Sequence, residues 1–390
     1  MGVYLALIAL IIIGYMILYS QERAYKNIYF VVIALSLILI VGLRHVSLGI
    51  FDTERLYVPR FERFFNQDYM YIIRNRRKDT TFYIFARLLS EIYANVHFVL
   101  FVIGIPYMLS VTRLIKKYSK IPWLSFLLFL GLQYFMLSFF LLRHVVGLAI
   151  VIIAFDYIVQ RKPVKFVICV LVATAFHLMS FVFIVAYPLT KIKSMKVRVS
   201  MIGICLLFAL WLGDGILLVV HVVLSIFLDN TERFAIFQIH GIGLSYVGYL
   251  IQLVVFITVT FMYQRKVSTE GSSVITFSRL KIRIKSLKKS KKKGFIDESQ
   301  KEEVMNIMYN LSAISLSIMS FTAILGEFFR VSSFFGIFNI ILLPNAITYI
   351  KSSSLRMAAK VGIGIVFVLY FLFFNLSNTN GIPYRMFWQS

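Results

Sequence analysis

The sequence predicts an all-α fold, a polytopic transmembrane bundle of about 10–12 helical segments, and three observations support it. First, 60% of the 390 residues are hydrophobic and only 15% are charged. Soluble domains have about 45–50% apolar and about 25% charged residues. Second, eleven apolar runs follow one another with polar stretches between them. Third, no interval has the composition of a soluble domain, so we expect one integral membrane domain over residues 1–390.

Each apolar run is assigned to the membrane because about 20 mostly apolar residues cross the hydrocarbon core. The first run, Val3–Tyr19, has neither a basic start nor a small-residue cleavage site, so we expect a retained span rather than a signal peptide. The later runs are Ile28–Leu43, Val96–Val111, Ile121–Leu142, Val145–Val159, Val164–Leu189, Val199–Leu212, Ile242–Tyr263, Met305–Leu325, Val331–Ile350 and Met357–Asn375. Hydrophobicity this high also excludes an intrinsically disordered chain.

The excess of positive charge is expected to flank membrane spans rather than to bind nucleic acid. The chain has 41 Lys and Arg against 17 Asp and Glu. Segment 264–304 contains twelve of these basic residues, which predicts a cytoplasmic loop. Binding of an anionic lipid or a nucleic acid is the alternative for that loop. Counting spans outward from it places loop 44–95, segment 213–241 and the C-terminus on the outer side.

One apolar run does not fit this map as a single helix. Val164–Leu189 must enter and leave on the cytoplasmic side, because basic turns flank it at both ends. We therefore expect a broken or re-entrant pair of half-helices with its hinge near His177. Irregular backbone at membrane depth is tolerated only where it lies inside the protein or lines a wet cavity.

Ionisable residues at membrane depth are candidate functional groups, because each costs about 2.5–3.5 kcal/mol on insertion scales. Arg44 follows the second run, Arg143 separates the fourth from the fifth, and His177 lies within the sixth. Glu327 and Arg330 stand together in ILGEFFRVSSFF. Structural roles stay open for all of them. Arg143 and Arg330 can snorkel from span ends, His177 can be a neutral core residue, and Glu327 can pair with Arg330 as an i, i+3 neighbour.

The chemistry that suits these groups is the binding of an anion. Arginine matches phosphate oxygens in a bidentate fork and stays charged in a poor dielectric. We therefore expect Arg44, Arg143 and Arg330 to bind a diphosphate, with a nearby histidine or aspartate as general base. The sequence has no phosphate-binding glycine loop, serine elbow or HExxH pattern, so no nucleotide, metal or other cofactor is expected.

Several short motifs occur along the chain in a set order. They are GLRHVSLGIFDTERLY from Gly42, DTTFYIFARLL from Asp79, FFLLRHVVGLAI from Phe139, ATAFHLMSFVFI from Ala173, FFRVSSFFGIFNIILLP from Phe328 and GIPY from Gly381. Their order and spacing resemble the EpsG-type branch of the bacterial polysaccharide polymerases, the Wzy-like membrane glycosyltransferases. The resemblance covers most of the chain. His144 stands where the family usually has glutamine, which suggests that it orients or caps.

The resemblance implies a polymerase of lipid-linked oligosaccharide repeats in O-antigen, capsule or exopolysaccharide synthesis. Such an enzyme transfers a glycan from undecaprenyl diphosphate to a second lipid-linked repeat, without a nucleotide sugar. It works in the bacterial cytoplasmic membrane with its active site on the outer side, and a chain-length regulator is a candidate partner. His177 or Asp52 would then be the base that deprotonates the acceptor hydroxyl. The supporting residues would be Tyr57, Asp79, His144 and Glu327.

Two other functional classes compete with the polymerase. A flippase or transporter of the same lipid-linked oligosaccharide also needs cations in a cavity, but it usually has two related halves, and no internal repeat is visible. A membrane acyltransferase that modifies the polysaccharide would use His177, but no partner motif accompanies that residue. Polymer formation from lipid-linked repeats alone, without an energy source, distinguishes the polymerase from both.

Overall fold

The computed structural model describes residues 1–19, 22–49, 52–75, 79–211, 242–270, 298–323 and 326–389. The expected outer segment 213–241 and the centre of the basic loop, residues 271–297, lie outside the described residues. Regular structure in the described part is helical, apart from one isolated antiparallel bridge between Arg44 and Met386. The fold class predicted from the sequence is therefore confirmed.

The chain divides into two compact units. The first contains residues 1–185 and 357–390, and the second contains residues 186–356. The helices of the first unit are α1 (Gly2–Gly14, continued by a π-helical turn at Tyr15–Tyr19), α2 (Arg23–Gly42), α3 (Val58–Phe65, after a π-helical turn at Thr53–Tyr57), α4 (Tyr69–Asn75), α5 (Thr80–Ile92), α6 (Val96–Tyr118), α7 (Pro122–Gly131), α8 (Tyr134–Phe140), α9 (Leu142–Val159) and α10 (Pro163–Phe176).

The second unit begins after a 3₁₀ segment, Leu178–Val185, that still belongs to the first. Its helices are α11 (Ala186–Leu189), α12 (Met195–Trp211), α13 (Ile242–Glu270), α14 (Glu298–Met319), α15 (Phe328–Gly336) and α16 (Asn339–Ile347). The chain then returns to the first unit through α17 (Ser353–Tyr370), a π-helical turn at Phe371–Asn375 and the short α18 (Leu376–Asn378).

Six helices of the described part are long and apolar enough to cross a membrane, and two bent pairs raise that number to eight. The bent pairs are α7 with α8, at 48°, and α15 with α16, at 44°. The sequence predicted each pair as one run. Shorter apolar helices, α10 with Leu178–Leu189 and Val247–Tyr263, cover two of the remaining runs, and the run Val199–Leu212 corresponds to α12. These findings support a multi-pass membrane protein.

The predicted break at His177 is present. α10 ends at Phe176, and His177 takes an extended conformation with φ −152° and ψ 110°. The chain continues as the tighter 3₁₀ segment Leu178–Val185. The long apolar run Val164–Leu189 is thus divided into two shorter helical pieces that meet at His177.

The bend between α7 and α8 was not predicted, and it has a visible cause. Gln133 adopts a left-handed conformation with φ 70° at the junction. The carbonyls of Leu130 and Gly131, just before the break, accept hydrogen bonds from Asn375 Nδ2 at 3.2 and 2.7 Å. Gly131 is required there, because a Cβ would lie 2.7 Å from Phe367 of α17. A buried amide from a distant segment thus satisfies backbone oxygens at the end of α7.

Apolar side chains cover the outside of the first unit. On α2, Ile28, Val31, Leu35 and Leu39 form an exposed stripe at helical spacing. The exposed face of α10 carries Val164, Ile168, Leu171 and Val172. A soluble protein would aggregate through such faces, whereas lipid chains satisfy them. The exposed apolar surface therefore agrees with a membrane location.

Candidate active site

One end of the first unit is organised around the backbone carbonyl of Phe139, at the end of α8. Thr53 Oγ1 donates to this oxygen at 2.5 Å, and Arg44 Nη2 donates to it at 3.3 Å. Gly49 has φ 100°, and a Cβ there would lie 2.7 Å from the same oxygen. The GLR…G…DT motif thus fastens the loop after α2 onto the α8–α9 junction, because only glycine fits that left-handed position at such close range.

Arg44 lies in the wall of this junction rather than in an open cavity. Its side chain is 1% exposed, and besides Phe139 it donates to the carbonyl of Val41. Its guanidinium lies 5.0 Å from the centre of the Phe139 ring. The flanking backbone pairs with the C-terminal residues, since Phe387 N donates to Leu43 O at 2.9 Å. These contacts make Arg44 an anchor between the loop and the C-terminal segment.

Arg143 forms the charged centre of the candidate site. It lies in the first turn of α9, where it makes an ion pair with Asp79 at the start of α5. Arg143 Nε also donates to the Tyr57 hydroxyl at 3.1 Å, and the guanidinium lies 5.7 Å from the centre of that ring. Its side chain is 23% exposed, so Arg143 is bound from one side and open from another. It does not snorkel away from the protein.

The π-helical turn beside Arg143 has Asp52 directly before it and Tyr57 as its last residue. Tyr57 is 2% exposed, and burial raises the pKa of its phenol. The nearby Arg143 lowers that pKa, whereas the carboxylate of Asp52 raises it. Asp52 is half-buried, and its carboxylate acts on the same phenol as Arg143. The structure thus brings four of the predicted residues, Asp52, Tyr57, Asp79 and Arg143, to one place.

The next residue along α9 contacts the predicted base. The rings of His144 and His177 meet edge to face, with their centres 5.2 Å apart. Both are buried, with exposures of 1% and 9%. Gly147, one turn further along α9, permits this approach, because a Cβ there would lie 2.5 Å from Ser180 Oγ and 3.4 Å from His177 Cβ. The sequence did not predict the contact between His144 and His177. His144 follows Arg143 directly on α9, and adjacent residues on a helix point in different directions, so His144 was expected to face away from the site.

An aromatic cluster supports the loop side of the site. It contains Tyr57, Phe61, Phe82 and Tyr83, all of them buried. Phe176, directly before His177, packs against Phe85 of α5 with ring centres 6.0 Å apart. The amphipathic α3 and α5 therefore pack their apolar faces under the charged groups, which fixes the positions of Asp79 and His177 together.

Glu327 and Arg330 belong to the second unit, and they pair with each other there. Arg330 Nη1 lies 3.0 Å from Glu327 Oε2, in the i, i+3 geometry that the spacing allowed. Their side chains are 29% and 17% exposed. The predicted structural pairing is therefore present, and Arg330 keeps part of its guanidinium accessible.

Two further buried charges were missed by the sequence analysis. Asp156, at the other end of α9, accepts from Lys117 Nζ at 2.7 Å and Tyr118 Oη at 2.5 Å, and it also pairs with Arg113. In the second unit, the 2% exposed Arg198 donates through Nε to Asn310 Oδ1 at 2.5 Å. Asp156 could have been found from the sequence, because it is a single acidic residue within an apolar run. Both contacts tie helices together near helix ends.

The comparison with protein families covers nearly the whole chain. The EpsG family model matches residues 27–386, a stretch that includes each residue of the cluster around Arg143. No curated protein and no solved structure matches the chain. Since the family model matches well over half of the sequence, the chain belongs to the EpsG family, a membrane family of glycosyltransferase-like polysaccharide polymerases.

Proposed function

We propose that this protein polymerises lipid-linked oligosaccharide repeats, taking the growing glycan from undecaprenyl diphosphate and adding it to a new lipid-linked repeat. Two contacts at the start of α9 support the proposal: Arg143 pairs with Asp79, and the next residue, His144, contacts His177. We assign the leaving group to the cation of this pair and the acceptor proton to the imidazole of His177. Membership of the EpsG family supports the same reaction class.

The reaction breaks the bond between the donor's anomeric carbon and a diphosphate oxygen, and it forms a bond from that carbon to an acceptor hydroxyl. The diphosphate leaves with the electron pair, so negative charge grows on it in the transition state. Arg143 has five N–H donors, of which Nε binds Tyr57 and Nη1 binds Asp79. Its Nη2 takes part in neither bond and is the proposed donor to the leaving diphosphate. Stronger binding of the departing group than of the intact donor lowers the barrier.

The proton of the acceptor hydroxyl needs a base, and His177 is our assignment. The extended backbone at residue 177 ends α10 and turns the imidazole toward His144 at the start of α9. An imidazole that is neutral at neutral pH can take the proton directly. Asp52, the second candidate base, acts electrostatically on Tyr57, the phenol that Arg143 binds.

We do not retain the same role for all three predicted diphosphate ligands. Arg44 is enclosed by its contacts with Val41 and Phe139, which supports an anchoring role. Arg330 stays a proposed diphosphate ligand, because its side chain is 29% exposed although it pairs with Glu327. Two further parts of the proposal rest on the sequence alone. One is that the site faces the outer side of the membrane, and the other is that a chain-length regulator is a partner.

Reconstitution tests the proposal. The purified protein is placed in liposomes with lipid-linked repeats, without nucleotide or ion gradient, and the products are separated by length. A ladder of polymers supports the polymerase. Movement of the lipid-linked repeat across the bilayer without any polymer would instead identify a flippase.

A pair of variants tests Arg330 separately. Arg330→Ala should abolish the polymer ladder, whereas Glu327→Gln, which leaves the guanidinium in place, should retain most of it. Equal losses in both variants would assign the pair a structural role. The amount of protein in detergent-solubilised membranes is the control for folding.

A further inference from the structure

A groove of about 550 Å³ opens on the surface of the first unit between α1, α7 and α17. Apolar side chains dominate its lining, and several of them, such as Met16, Met357 and Ile365, are more than half exposed on the outer face of the unit. The volume lies within the range of about 300–1,000 Å³ that is typical of ligand sites. In a membrane protein such a surface faces lipid.

One end of the groove is polar. Tyr15 and Trp123 lie there with ring centres 6.4 Å apart, and Lys360 of α17 completes the lining. Lys360 lies within the predicted run Met357–Asn375, and the helix α17 begins at Ser353, about two turns before the lysine. No other residue of α17 after Lys360 is charged. A lysine within a membrane helix indicates a functional site by default.

More positive charge surrounds this end. Lys26 lies 5.3 Å from the centre of the Tyr19 ring, and Tyr19 stacks on Tyr15 at 4.7 Å. Lys116 lies 5.8 Å from the centre of the Phe30 ring on the neighbouring α2. Aromatic rings beside lysines are typical of the level of lipid headgroups. The groove thus combines an apolar channel with a cationic, aromatic mouth.

We propose that this groove binds an anionic phospholipid, with an acyl chain along α17 and the headgroup phosphate at Lys360 Nζ. Lysine acts on phosphate as a point charge, and basic pockets between membrane helices recognise anionic headgroups. The polyprenyl substrate is a poorer occupant. Tyr15 and Tyr19 contact Tyr29 and Phe30 of α2, and the far end of this helix, next to Arg44, is about 20 Å further along it. A diphosphate at Arg143 would therefore lie at the opposite end of the unit.

Quenching of Trp123 fluorescence by brominated phospholipids tests the proposal. The full-length protein carries Trp211→Phe and Trp388→Phe, which leaves Trp123 as the reporter. It is reconstituted with brominated phosphatidylglycerol or brominated phosphatidylcholine at matched fractions. We expect the anionic lipid to bind about fivefold more strongly, as one lysine near a headgroup contributes. Lys360→Gln should remove that preference, and Lys360→Arg should keep it.

Two glycines of α17 provide a matched pair for the apolar part. A Cβ at Gly364 would lie 3.2 Å from Trp123, whereas a Cβ at Gly362 meets nothing within 4 Å. Gly364→Leu should therefore lower quenching by both lipids, and Gly362→Leu should leave it unchanged. Equal binding of the two phospholipids, or an unchanged preference in Lys360→Gln, would overturn the proposal. Displacement of the brominated anionic lipid by undecaprenyl phosphate at equimolar amounts would assign the groove to the polyprenyl chain instead.

Discussion

The guanidinium of Arg143 lies against the carboxylate of Asp79, 64 residues earlier in the chain, and its Nε donates to Tyr57 at 3.1 Å. The pair joins the start of α9 to the start of α5. Asp79 can hold the guanidinium in place before a substrate arrives, and preorganised charge of this kind contributes most to transition-state stabilisation. The contact therefore predicts that the guanidinium of Arg143 is needed for the reaction.

Arg143→Ala should abolish polymer formation, and Arg143→Lys should lower it by about 100-fold, because an ammonium cannot bind Tyr57, Asp79 and a phosphate in one plane. Arg74, which is exposed on α4, supplies the matched control, and Arg74→Ala should polymerise normally. The measurement is the polymer ladder from reconstituted protein. A normal ladder from Arg143→Ala would remove this residue from the proposed site.

His177→Gln should lower the rate by at least about 100-fold, because glutamine retains a hydrogen bond but cannot take the proton. A substitution of His144, whose ring contacts His177, is the control. His144→Gln restores the residue usual in the family and should stay within about tenfold of the parent. Initial rates of polymerisation across a pH series are the measurement.

A base role for His177 predicts the direction in which the polymerisation rate changes with pH. Activity should rise with pH as the His177 imidazole loses its proton, since only the neutral ring accepts the acceptor's proton. An active, folded His177→Gln variant with an unchanged profile would move the base to Asp52 or to no residue.

Gly147→Val should destabilise the protein by about 1–3 kcal/mol, because its side chain would overlap Ser180 Oγ and push the chain away from α9. Gly147→Ala should be milder, and Ser180→Ala combined with it should recover part of the loss. Thermal unfolding in detergent measures the change. If Gly147→Ala alone costs nothing, the close approach of α9 to residue 180 is not needed.

Arg44 and Thr53 should behave as anchors of the loop after α2. Thr53→Val removes the hydrogen bond to Phe139 O and should cost about 1 kcal/mol of stability, whereas Thr53→Ser should be close to neutral. Arg44→Ala should lower the yield of folded protein. Direct diphosphate binding by Arg44 would instead predict a stable but inactive variant, so yield and activity measured together separate the two roles.

The basic loop should be cytoplasmic. In a variant without Cys169 and Cys205, Ser290→Cys should resist an impermeant thiol reagent in intact cells and react after permeabilisation. Asn75→Cys, at the exposed end of α4, should react in intact cells. Labelling in the reverse pattern would invert the orientation, and the candidate site would then face the cytoplasm.

Composition and periodicity alone indicated most of the fold. The membrane class, the location of the apolar runs and the hinge at His177 follow from hydrophobic length and from basic flanks, which act locally along the chain. The bend at Gln133 could not be predicted, because the amide that stabilises it comes from Asn375, far away in the sequence. Motif order also indicated the EpsG family, which the family match confirmed.

The sequence by itself determined which residues are costly in a membrane, because desolvation of Arg44, Arg143 or His177 depends on residue type and on apolar neighbours. Only the tertiary structure decided what each one contacts. It enclosed Arg44 in a junction of backbone carbonyls, paired Arg143 with Asp79 and brought His144 to His177. The physical reason is that a charge lowers its free energy through partners that distant segments supply, and those segments meet only after the helices pack.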